Sequence, residues 1–383
     1  MAVRPMVKVA RITLFVVTVK VLVFTTVFLS LHLLPPIFDK ENYDRRFHWP
    51  EDEQPNATWL FKTWDSAHYL YLSEHGYRAA GASAAFHPLW PMVIRAATPV
   101  FGSSLVAAIV LANLLSTAGL VTVHRFAERI ADGATADTAL LLNLAYPGAF
   151  YFCLPYTESL FLLITATVFW LISSDRLGIA ALLSVLAAPA RAVGVFLAIP
   201  LGWRLLSDWH AGRRPWWHCV AALAPLAGMA LTLGMMWVET GDAMASVDAQ
   251  ARFASRGSIG KFFAPVDFVR SFVDVWGVHG VLHSGIDRIF FIAMLVGVAL
   301  VIRLEHRVGP WSLYSAALIL VPASTMSFMS FTRYPTVVFP IFIAVGAFLA
   351  VRARRELRWI IIAGFSVVQF FFLIRHVNNY WAG

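Results

Sequence analysis

The chain carries Trp64-Asp65-Ser66-Ala67-His68-Tyr69-Leu70-Tyr71-Leu72-Ser73-Glu74-His75-Gly76-Tyr77 in a long loop that follows its first hydrophobic run. Asp65 precedes a short amphipathic run and Gly76 stands where a helix of about ten residues would end, so the pattern predicts a helix between them. In one interpretation, Asp65 is only the N-cap of that helix and accepts backbone N–H groups. In the other, it is a functional carboxylate, because nearby aromatic and imidazole groups suit both a membrane interface and a sugar ring. Those groups are Trp64, His68, Tyr69, Tyr71, His75 and Tyr77.

The composition is that of a membrane protein. Of the 383 residues, 59% are hydrophobic and only 14% are charged, and the mean hydropathy is +0.69. These values exclude a soluble domain of this size. The net charge of +8 does not indicate a nucleic-acid partner, because the basic residues lie in short loops between apolar runs, where they set topology. Two cysteines, Cys153 and Cys219, cannot found a disulfide framework.

Recurring apolar runs predict eleven transmembrane spans. The first run is too long for a signal peptide and lacks a small-residue cleavage site, so we expect an uncleaved signal anchor. The distribution of Lys and Arg among the loops places the N-terminus inside and the C-terminus outside. The predicted spans are Ile12–Leu34, Leu105–Val123, Ala136–Phe150, Thr157–Ser174, Leu177–Pro189, Ala192–Leu206, His218–Val238, Ile289–Ile302, Pro310–Phe328, Val337–Val351 and Trp359–Ile374.

The run from Leu177 to Leu206 has an alternative interpretation as one long span. That choice would reverse everything downstream and put Arg213 and Arg214 outside, against the positive-inside rule. We therefore predict two short spans, broken at Pro189–Arg191.

Two long outer loops follow from this topology, at about residues 35–104 and 239–287. The first contains Leu89–Phe101, which is too short and interrupted to span and predicts an interfacial or re-entrant helix. The chain is thus predicted to be a single integral-membrane domain, residues 1–383. Its expected fold is an all-α polytopic bundle of about 11 (10–12) transmembrane helices, with short interfacial helices in the first outer loop.

A second informative stretch runs from Tyr146 to Ser159. Pro147, Gly148 and Pro155 stop one span before the next begins, which leaves irregular backbone at the outer membrane edge. Such backbone is tolerated only if it is buried in protein or lines a wet cavity. Glu158 at the start of the next helix is either a carboxylate favoured by the helix dipole, with Thr157 as cap, or a second carboxylate facing the same cavity as Asp65.

Two arginines and a histidine have similar pairs of interpretations. Arg333, before a late span on the outer side, either snorkels to lipid headgroups or binds a phosphate with its fork. Arg191, between two short spans, has the same two interpretations. His87, between Phe86 and Pro88, is either packed at the interface or a hydrogen-bond donor to a sugar or phosphate.

Four groups of residues occur in a fixed order over most of the chain. They are Trp64-Asp65-Ser66-Ala67-His68-Tyr69 with Gly76-Tyr77, Phe86-His87-Pro88-Leu89-Trp90-Pro91, Tyr146-Pro147 with Pro155-Tyr156-Thr157-Glu158-Ser159-Leu160-Phe161, and Arg333-Tyr334 before Phe339-Pro340. Together they resemble the phosphatidylinositol-glycan class V family, the GPI mannosyltransferases that add the second mannose. Bacterial membrane proteins share the pattern, and all belong to the GT-C glycosyltransferase superfamily.

The resemblance implies a GT-C-type bundle with its active site on the outer face. It implies an enzyme that transfers a sugar, typically mannose, with inversion from a polyprenyl-phosphate-linked donor. The family's first-loop aspartate matches Asp65, the expected general base, while its Tyr-Thr-Glu and Arg-Tyr motifs match Glu158 and Arg333. The candidate substrate-binding residues are Trp64, His68, Tyr77, His87, Tyr156, Glu158, Arg191, Arg333 and Tyr334.

The expected partners are the lipid-linked donor, a lipid or glycan acceptor and membrane lipids, with no nucleic acid. No cofactor or metal is expected, although Asp65 and Glu158 together would offer ligands for one divalent ion. The alanine- and arginine-rich, lysine-poor composition indicates a bacterial plasma membrane, where an acceptor other than a GPI precursor is needed. The alternatives are a transporter or flippase of lipid-linked sugars, and a non-catalytic subunit in which Asp65 is dispensable.

Overall fold

The computed structural model describes residues 5–33, 38–213, 216–252, 264–275, 280–324, 328 and 330–382. These residues form helices and contain no β-strand, only one isolated bridge between His48 and Thr63. The all-α prediction is therefore confirmed. The α-helices are α1 Pro5–Leu33, α2 Lys40–Arg45, α3 Trp64–His75, α4 Leu89–Phe101, α5 Ser104–Ile130, α6 Gly133–Ala145, α7 Glu158–Ser173, α8 Leu177–Ser184, α9 Ala187–Ala190, α10 Ala198–His210, α11 Trp217–Thr240, α12 Ala245–Arg252, α13 Pro265–Val273, α14 Gly280–Glu305, α15 Pro310–Ser324, α16 Phe339–Leu349 and α17 Arg355–Val377.

The protein is an integral membrane protein. Within the described ranges, five helices are long and apolar enough to cross a membrane, and they belong to α1, α5, α11, α14 and α17. Shorter apolar helices pack between them, including α7, α8 with α9, and α16. Many apolar side chains on the long helices are exposed, as a lipid-facing surface requires; examples are Leu22, Leu114, Leu223, Val296 and Ile360.

Contacts between helix termini define two ends of the bundle. At the end that carries residues 38–103, called the loop end, Asn378 after α17 donates to Ser30 near the end of α1 over 3.3 Å. At the opposite end, called the far end, Lys8 pairs with Glu128 and Arg129 donates to the Ser173 carbonyl over 3.0 Å. Helix α1 therefore begins at the far end, and α17 ends at the loop end.

The chain between α7 and α11 travels from the far end to the loop end and back. Thr157, at the loop end of α7, donates to the Ala190 carbonyl over 3.2 Å. Arg204 in α10 then lies 2.6 Å from Asp175, which follows α7 at the far end. Two short segments meeting near Arg191 are thus present, as the two-span interpretation predicts. With them, the described residues make eleven passes between the two ends.

Several predicted span boundaries are wrong. The predicted span Ala136–Phe150 is instead α6, which stops at Ala145, followed by a 3₁₀ helix at Ala149–Cys153. The physical reason is Pro147, because the residue before a proline avoids the helical region, and Tyr146 has an extended ψ of 138°. The span predicted at Ile289–Ile302 begins earlier, since α14 already includes Gly280. The span predicted at Pro310–Phe328 is helical over Pro310–Ser324, and residues 325–327 near its predicted end lie outside the described residues.

The short helices predicted in the first outer loop are present. The run Leu89–Phe101 forms α4 with the predicted bounds, and α3 covers Trp64–His75 and ends at Gly76 with a φ of 76°. In the second outer loop, α12 packs against the 3₁₀ helix Gly81–Ala85, and Gln250 donates to the Ala85 carbonyl over 3.2 Å. The long outer loops therefore form a helical layer on the loop end of the bundle.

We predict that Cys219, and not Cys153, is the thiol that defines topology. Cys153 is buried at the loop end, whereas Cys219 is half-buried in the first turn of α11, next to His218, which contacts Asp208 of α10 at the far end. A membrane-impermeant thiol reagent should leave intact cells unlabelled and label Cys219 once the membrane is permeabilised. A Cys219→Ser protein is the control that identifies the signal, and labelling of Cys219 from outside would overturn the inside–outside assignment.

Candidate active site

Four charged residues meet at the loop end, each at the terminus of a short element. Asp65 lies in the first turn of α3, and Glu158 begins α7. Arg191 follows α9 in extended conformation, and Arg333 precedes the 3₁₀ helix Tyr334–Val337. Three loops that break the apolar passes thus carry Glu158, Arg191 and Arg333 to one place, and the first outer loop adds Asp65.

These four side chains form a continuous network of alternating charge, called here the charge network. The Arg333 Nε donates to Glu158 Oε1 over 2.6 Å, and the Arg333 Nη1 donates to Asp65 Oδ2 over 2.6 Å. The Arg191 Nη1 lies 2.7 Å from the same Glu158 Oε1. Two guanidinium groups face two carboxylates, so the formal charges of the network cancel.

Burial differs sharply along the charge network. The side chain of Glu158 is 0% exposed and that of Arg333 is 8% exposed. The side chain of Asp65, by contrast, is 28% exposed. A fully buried carboxylate is stable only when it is paired, which makes the two arginines a requirement of the fold around Glu158. Asp65 is the carboxylate of the network that solvent or a substrate can reach.

Aromatic rings fix the two arginines. The guanidinium of Arg333 lies 4.5 Å from the ring centroid of Tyr156 and 5.1 Å from that of Tyr151. The guanidinium of Arg191 lies 5.6 Å from the ring of Tyr334. Cation–π contacts of this kind are worth about 0.5–2 kcal/mol, more when they are desolvated. Tyr156 and Tyr334, both predicted as site residues, therefore contact the charge network, and Tyr151 joins them.

Neither predicted cap makes a capping hydrogen bond. Thr63, not Asp65, occupies the N-cap position of α3, and its side chain makes no capping hydrogen bond. Thr157 precedes α7, but its hydroxyl donates to Ala190 instead of capping the helix. Asp65 and Glu158 both lie in the first turn of their helices, where the helix dipole favours a carboxylate, and their side-chain partner is Arg333.

Trp64 has a strained backbone beside Asp65. Its φ is 55°, in the left-handed region that bulky residues rarely adopt. Its ring meets that of Trp381 edge-on at 5.3 Å, and the guanidinium of Arg46 lies 4.6 Å from its centroid. Its indole Nε1 is buried without a hydrogen-bond partner. Strain of this kind clusters at functional sites.

Three other predicted site residues lie outside the charge network. His68 is stacked between Phe47 and Phe86, each 4.6 Å away, and its Nδ1 lies 2.7 Å from the Ser83 hydroxyl. Burial lowers the pKa of His68 to about 4, against the opposing effect of the Asp65 charge, so the ring is neutral at pH 7.

Tyr77 and His87 border the same layer. The Tyr77 hydroxyl donates to the Phe86 carbonyl over 2.7 Å. His87 is half-buried and follows Phe86, just before Pro88 and α4. The Tyr77 hydrogen bond thus joins the residue after the end of α3 to the segment before α4.

Asp287 positions Arg333, and the sequence interpretation missed it. Asp287 is 4% exposed and accepts hydrogen bonds from the backbone N–H of Ser330 over 3.2 Å and of Thr332 over 3.1 Å. Ser330 has a φ of 65°, so this turn is tight. One signal was available: a single carboxylate stands at the start of a long apolar run, after a polar loop.

Glycine packing holds the same turn from the other side. A Cβ on Gly148 would lie 2.4 Å from the Thr332 carbonyl oxygen and 3.0 Å from the Arg333 Cα. The loop after α6 can approach the turn this closely only because residue 148 has no side chain. The backbone at Arg333 is therefore held by packing against Gly148 and by Asp287, in addition to the ion pairs of the Arg333 side chain.

The two network carboxylates are bridged by a protein cation. Arg333 donates to both Asp65 and Glu158. Among the residues that the structure describes, no three His, Cys, Asp or Glu side chains form a group that could hold a metal ion. The site as folded is thus built on guanidinium–carboxylate pairs.

Comparisons with known proteins give a distant structural likeness. No protein-family model matches the chain, and no curated protein matches it. Solved structures of the Archaeoglobus fulgidus oligosaccharyltransferase are similar at 13% identity. The complex with zinc and sulfate has a TM-score of 0.41, over 94% of this chain and 53% of that one. The form tethered to an acceptor peptide has a TM-score of 0.42, over 96% and 56%. The chain spans about half the length of that enzyme.

We predict that Asp287→Ala destabilises the protein. The substitution leaves two buried backbone N–H groups without an acceptor, at a cost of about 1–3 kcal/mol each. The thermal unfolding temperature of the purified protein in detergent should fall. The fall should be smaller for Asp287→Asn, which keeps one acceptor oxygen. The control is Asp267→Ala, because Asp267 is an exposed aspartate of the same outer loop. Its unfolding temperature should equal that of the unmodified protein. An unchanged transition for Asp287→Ala would show that the turn does not depend on this carboxylate.

Proposed function

We propose that this protein is a membrane glycosyltransferase of the GT-C type. It transfers mannose or a related sugar, with inversion, from a polyprenyl-phosphate-linked donor to a lipid or glycan acceptor on the outer face. The observation that carries the proposal is the partly exposed Asp65 carboxylate, held by the buried Arg333 where the first outer loop meets the three loops that carry Glu158, Arg191 and Arg333. The resemblance of its motifs to the phosphatidylinositol-glycan class V family supports the choice of sugar and donor.

The chemistry requires a base for the incoming hydroxyl. Asp65 accepts the proton as the acceptor oxygen attacks the anomeric carbon of the sugar, and the bond between that carbon and the phosphate oxygen breaks. One Asp65 oxygen is fixed by Arg333, and the exposed part of the group faces outward to receive the hydroxyl. Because Arg333 is itself fixed by Glu158 and two tyrosine rings, the base is pre-oriented and little reorganisation is needed.

The departing phosphate requires positive charge. Arg333 uses Nε and Nη1 on the two carboxylates, which leaves the donors of Nη2. Arg191 contacts Glu158 through Nη1 and keeps its Nε and Nη2 groups for a ligand. We propose that these remaining N–H groups hold the phosphate as its negative charge develops, in the fork geometry that suits a phosphate.

The packing below the site favours an enzyme over a transporter. From Glu158, α7 continues toward the far end, and Ser159, Phe161 and Leu162 in its first turns are all 0% exposed. A transporter would need a route past these side chains to the other face of the membrane. Buried side chains thus separate the site from the far end. This packing fits a reaction in which the lipid tail stays in the hydrocarbon and the sugar is transferred at the membrane surface.

Asp65→Asn should fold and insert normally but lose about 10²–10⁴-fold in transfer rate, the usual contribution of general base catalysis. The amide keeps an acceptor for Arg333 and lacks the basic carboxylate. The assay uses purified protein, radiolabelled polyprenyl-phosphate-mannose and membranes, and it also identifies the labelled acceptor.

Asp44→Asn is the matched control for this substitution, because Asp44 is an exposed carboxylate of the same outer loop. Its rate should equal that of the unmodified protein. If Asp65→Asn transferred sugar at a near-normal rate, Asp65 would be removed from the mechanism.

Arg333→Lys should lower the transfer rate and raise the donor KM. One ammonium cannot reproduce the fork that contacts two carboxylates at once, so Asp65 loses its fixed orientation. Arg333→Ala should be worse and should also lower stability by about 3–5 kcal/mol, because it leaves Glu158 buried with one partner fewer. Steady-state kinetics and thermal unfolding separate the two effects. Full activity of Arg333→Lys would contradict the proposed geometry.

A further inference from the structure

Arg46 and Arg375 lie at the loop end and are bound by neutral groups. Arg46, after α2, donates through its Nε to the Asn42 side chain over 2.5 Å. Arg375, near the end of α17, donates through its Nε to the Trp381 carbonyl over 3.2 Å. Neither forms an ion pair with a carboxylate of the described residues. Neither therefore has its charge cancelled by a contacting carboxylate, unlike Arg191 and Arg333, although Asp39 acts on Arg46 from beyond contact distance.

Both arginines flank one pair of aromatic rings beside Asp65. Arg46 lies over Trp64 at 4.6 Å, and Trp64 meets Trp381 edge-on at 5.3 Å. Arg375 binds the backbone of Trp381 and lies 5.2 Å from the ring of Tyr380. Since Trp64 is the residue before Asp65, this row of two cations and two indoles borders the reachable carboxylate of the charge network.

The row also borders the lipid. The guanidinium of Arg375 lies 5.8 Å from the ring of Phe371, one turn earlier on α17, and Phe371 is 44% exposed. The next residue, His376, is buried, and its ring lies 5.6 Å from that of Tyr151, which contacts Arg333. Arg375 thus stands between the lipid-facing surface of α17 and the interior of the site.

We infer that Arg46 and Arg375 form an entry site for the phosphate group of an isoprenoid lipid, outside the charge network, which the lipid occupies before its phosphate reaches Arg191 and Arg333. The inference rests on the proposed function for its assignment to the sugar donor. The charge network is formally neutral, so it attracts an anion only through its unused N–H groups. Arg46 and Arg375 supply the net positive charge, at the edge where a lipid phosphate would enter with its chain still in hydrocarbon. The buried, unpartnered Nε1 of Trp64 offers a further donor at the same place.

The test measures binding without transfer. The purified protein, in neutral-lipid nanodiscs, is titrated with a short isoprenyl monophosphate as probe, and thermal unfolding verifies the fold of each variant. The double variant Arg46→Gln and Arg375→Gln should bind the probe at least tenfold more weakly. The double Lys variant keeps both charges and should bind within a few-fold of the unmodified protein. The matched control is the double variant Arg45→Gln and Arg355→Gln. Arg45 is the exposed neighbour of Arg46, and Arg355 is an exposed arginine at the other end of α17 from Arg375. This control should bind the probe normally.

Competition distinguishes the source of the phosphate. Inorganic phosphate and phosphatidylglycerol should compete poorly with the isoprenyl monophosphate, because the site uses both the anion and its isoprenoid chain. Equal competition by either compound would overturn the isoprenoid assignment. Unchanged probe binding in the Gln double variant, with normal unfolding, would overturn the site itself.

Transfer kinetics separate this inference from the proposed function. In the Gln double variant, the donor KM should rise at least tenfold while kcat stays within a few-fold, because Arg46 and Arg375 hold the phosphate on entry and Arg191 and Arg333 hold it during transfer. Sugar transfer with an unchanged donor KM would overturn the inference and leave the proposed function standing. Loss of probe binding in a protein that transfers no sugar would support the phosphate site while the proposed function fails.

Discussion

The structure of the site depends on the guanidinium of Arg333, which bridges Asp65 and Glu158. These contacts join segments that are 268 and 175 residues apart in the chain. In a buried setting, neither a carboxylate nor a guanidinium is stable alone, and removing one partner costs about 3–5 kcal/mol. The interruptions of the apolar passes at Pro147, Pro155 and Arg191 are what allow irregular backbone to bring these charges together.

The charge network has a buried carboxylate, Glu158, and an accessible carboxylate, Asp65, and the two have different roles. Glu158 has no exposed surface and forms ion pairs with both arginines, so its contribution is to hold them. Asp65 shares Arg333 but remains partly exposed, which suits a group that must meet a substrate. Asp287 and Gly148 act one layer further out, on the backbone that carries Arg333. Precision at Asp65 is therefore produced by residues that a substrate does not contact.

The sequence predicted the parts of this protein that follow from local patterns. Hydrophobic runs were enough for the all-α class and for α4. The residues of the charge network were each singled out, from helix-start position or from an arginine between apolar spans, and from the family resemblance. Their mutual pairing was not predictable, because it is made between segments far apart in sequence.

What the sequence could not reveal is of two kinds. Asp287 serves backbone groups of a distant turn, so no motif marks it. Arg46 and Arg375 belong to no recognisable sequence motif. They become neighbours of one site only through the contact between Trp64 and Trp381. Predicted span ends were also displaced wherever a proline or a tight turn, and not loss of hydropathy, ended the helix, as after Ala145.

The order of the charged residues along the chain has a consequence for biosynthesis. A membrane protein is inserted as it is translated, and Asp65, Glu158 and Arg191 are made long before Arg333. Until the segment after α15 emerges, Glu158 has Arg191 as its one cationic partner, and the turn that carries Arg333 cannot dock against Gly148. The charge network is thus completed by one late residue, Arg333, with α16 and α17 still to follow. A ribosome that stops before residue 333 releases a chain with an incompletely neutralised carboxylate at a membrane face, the kind of defect that membrane quality control removes.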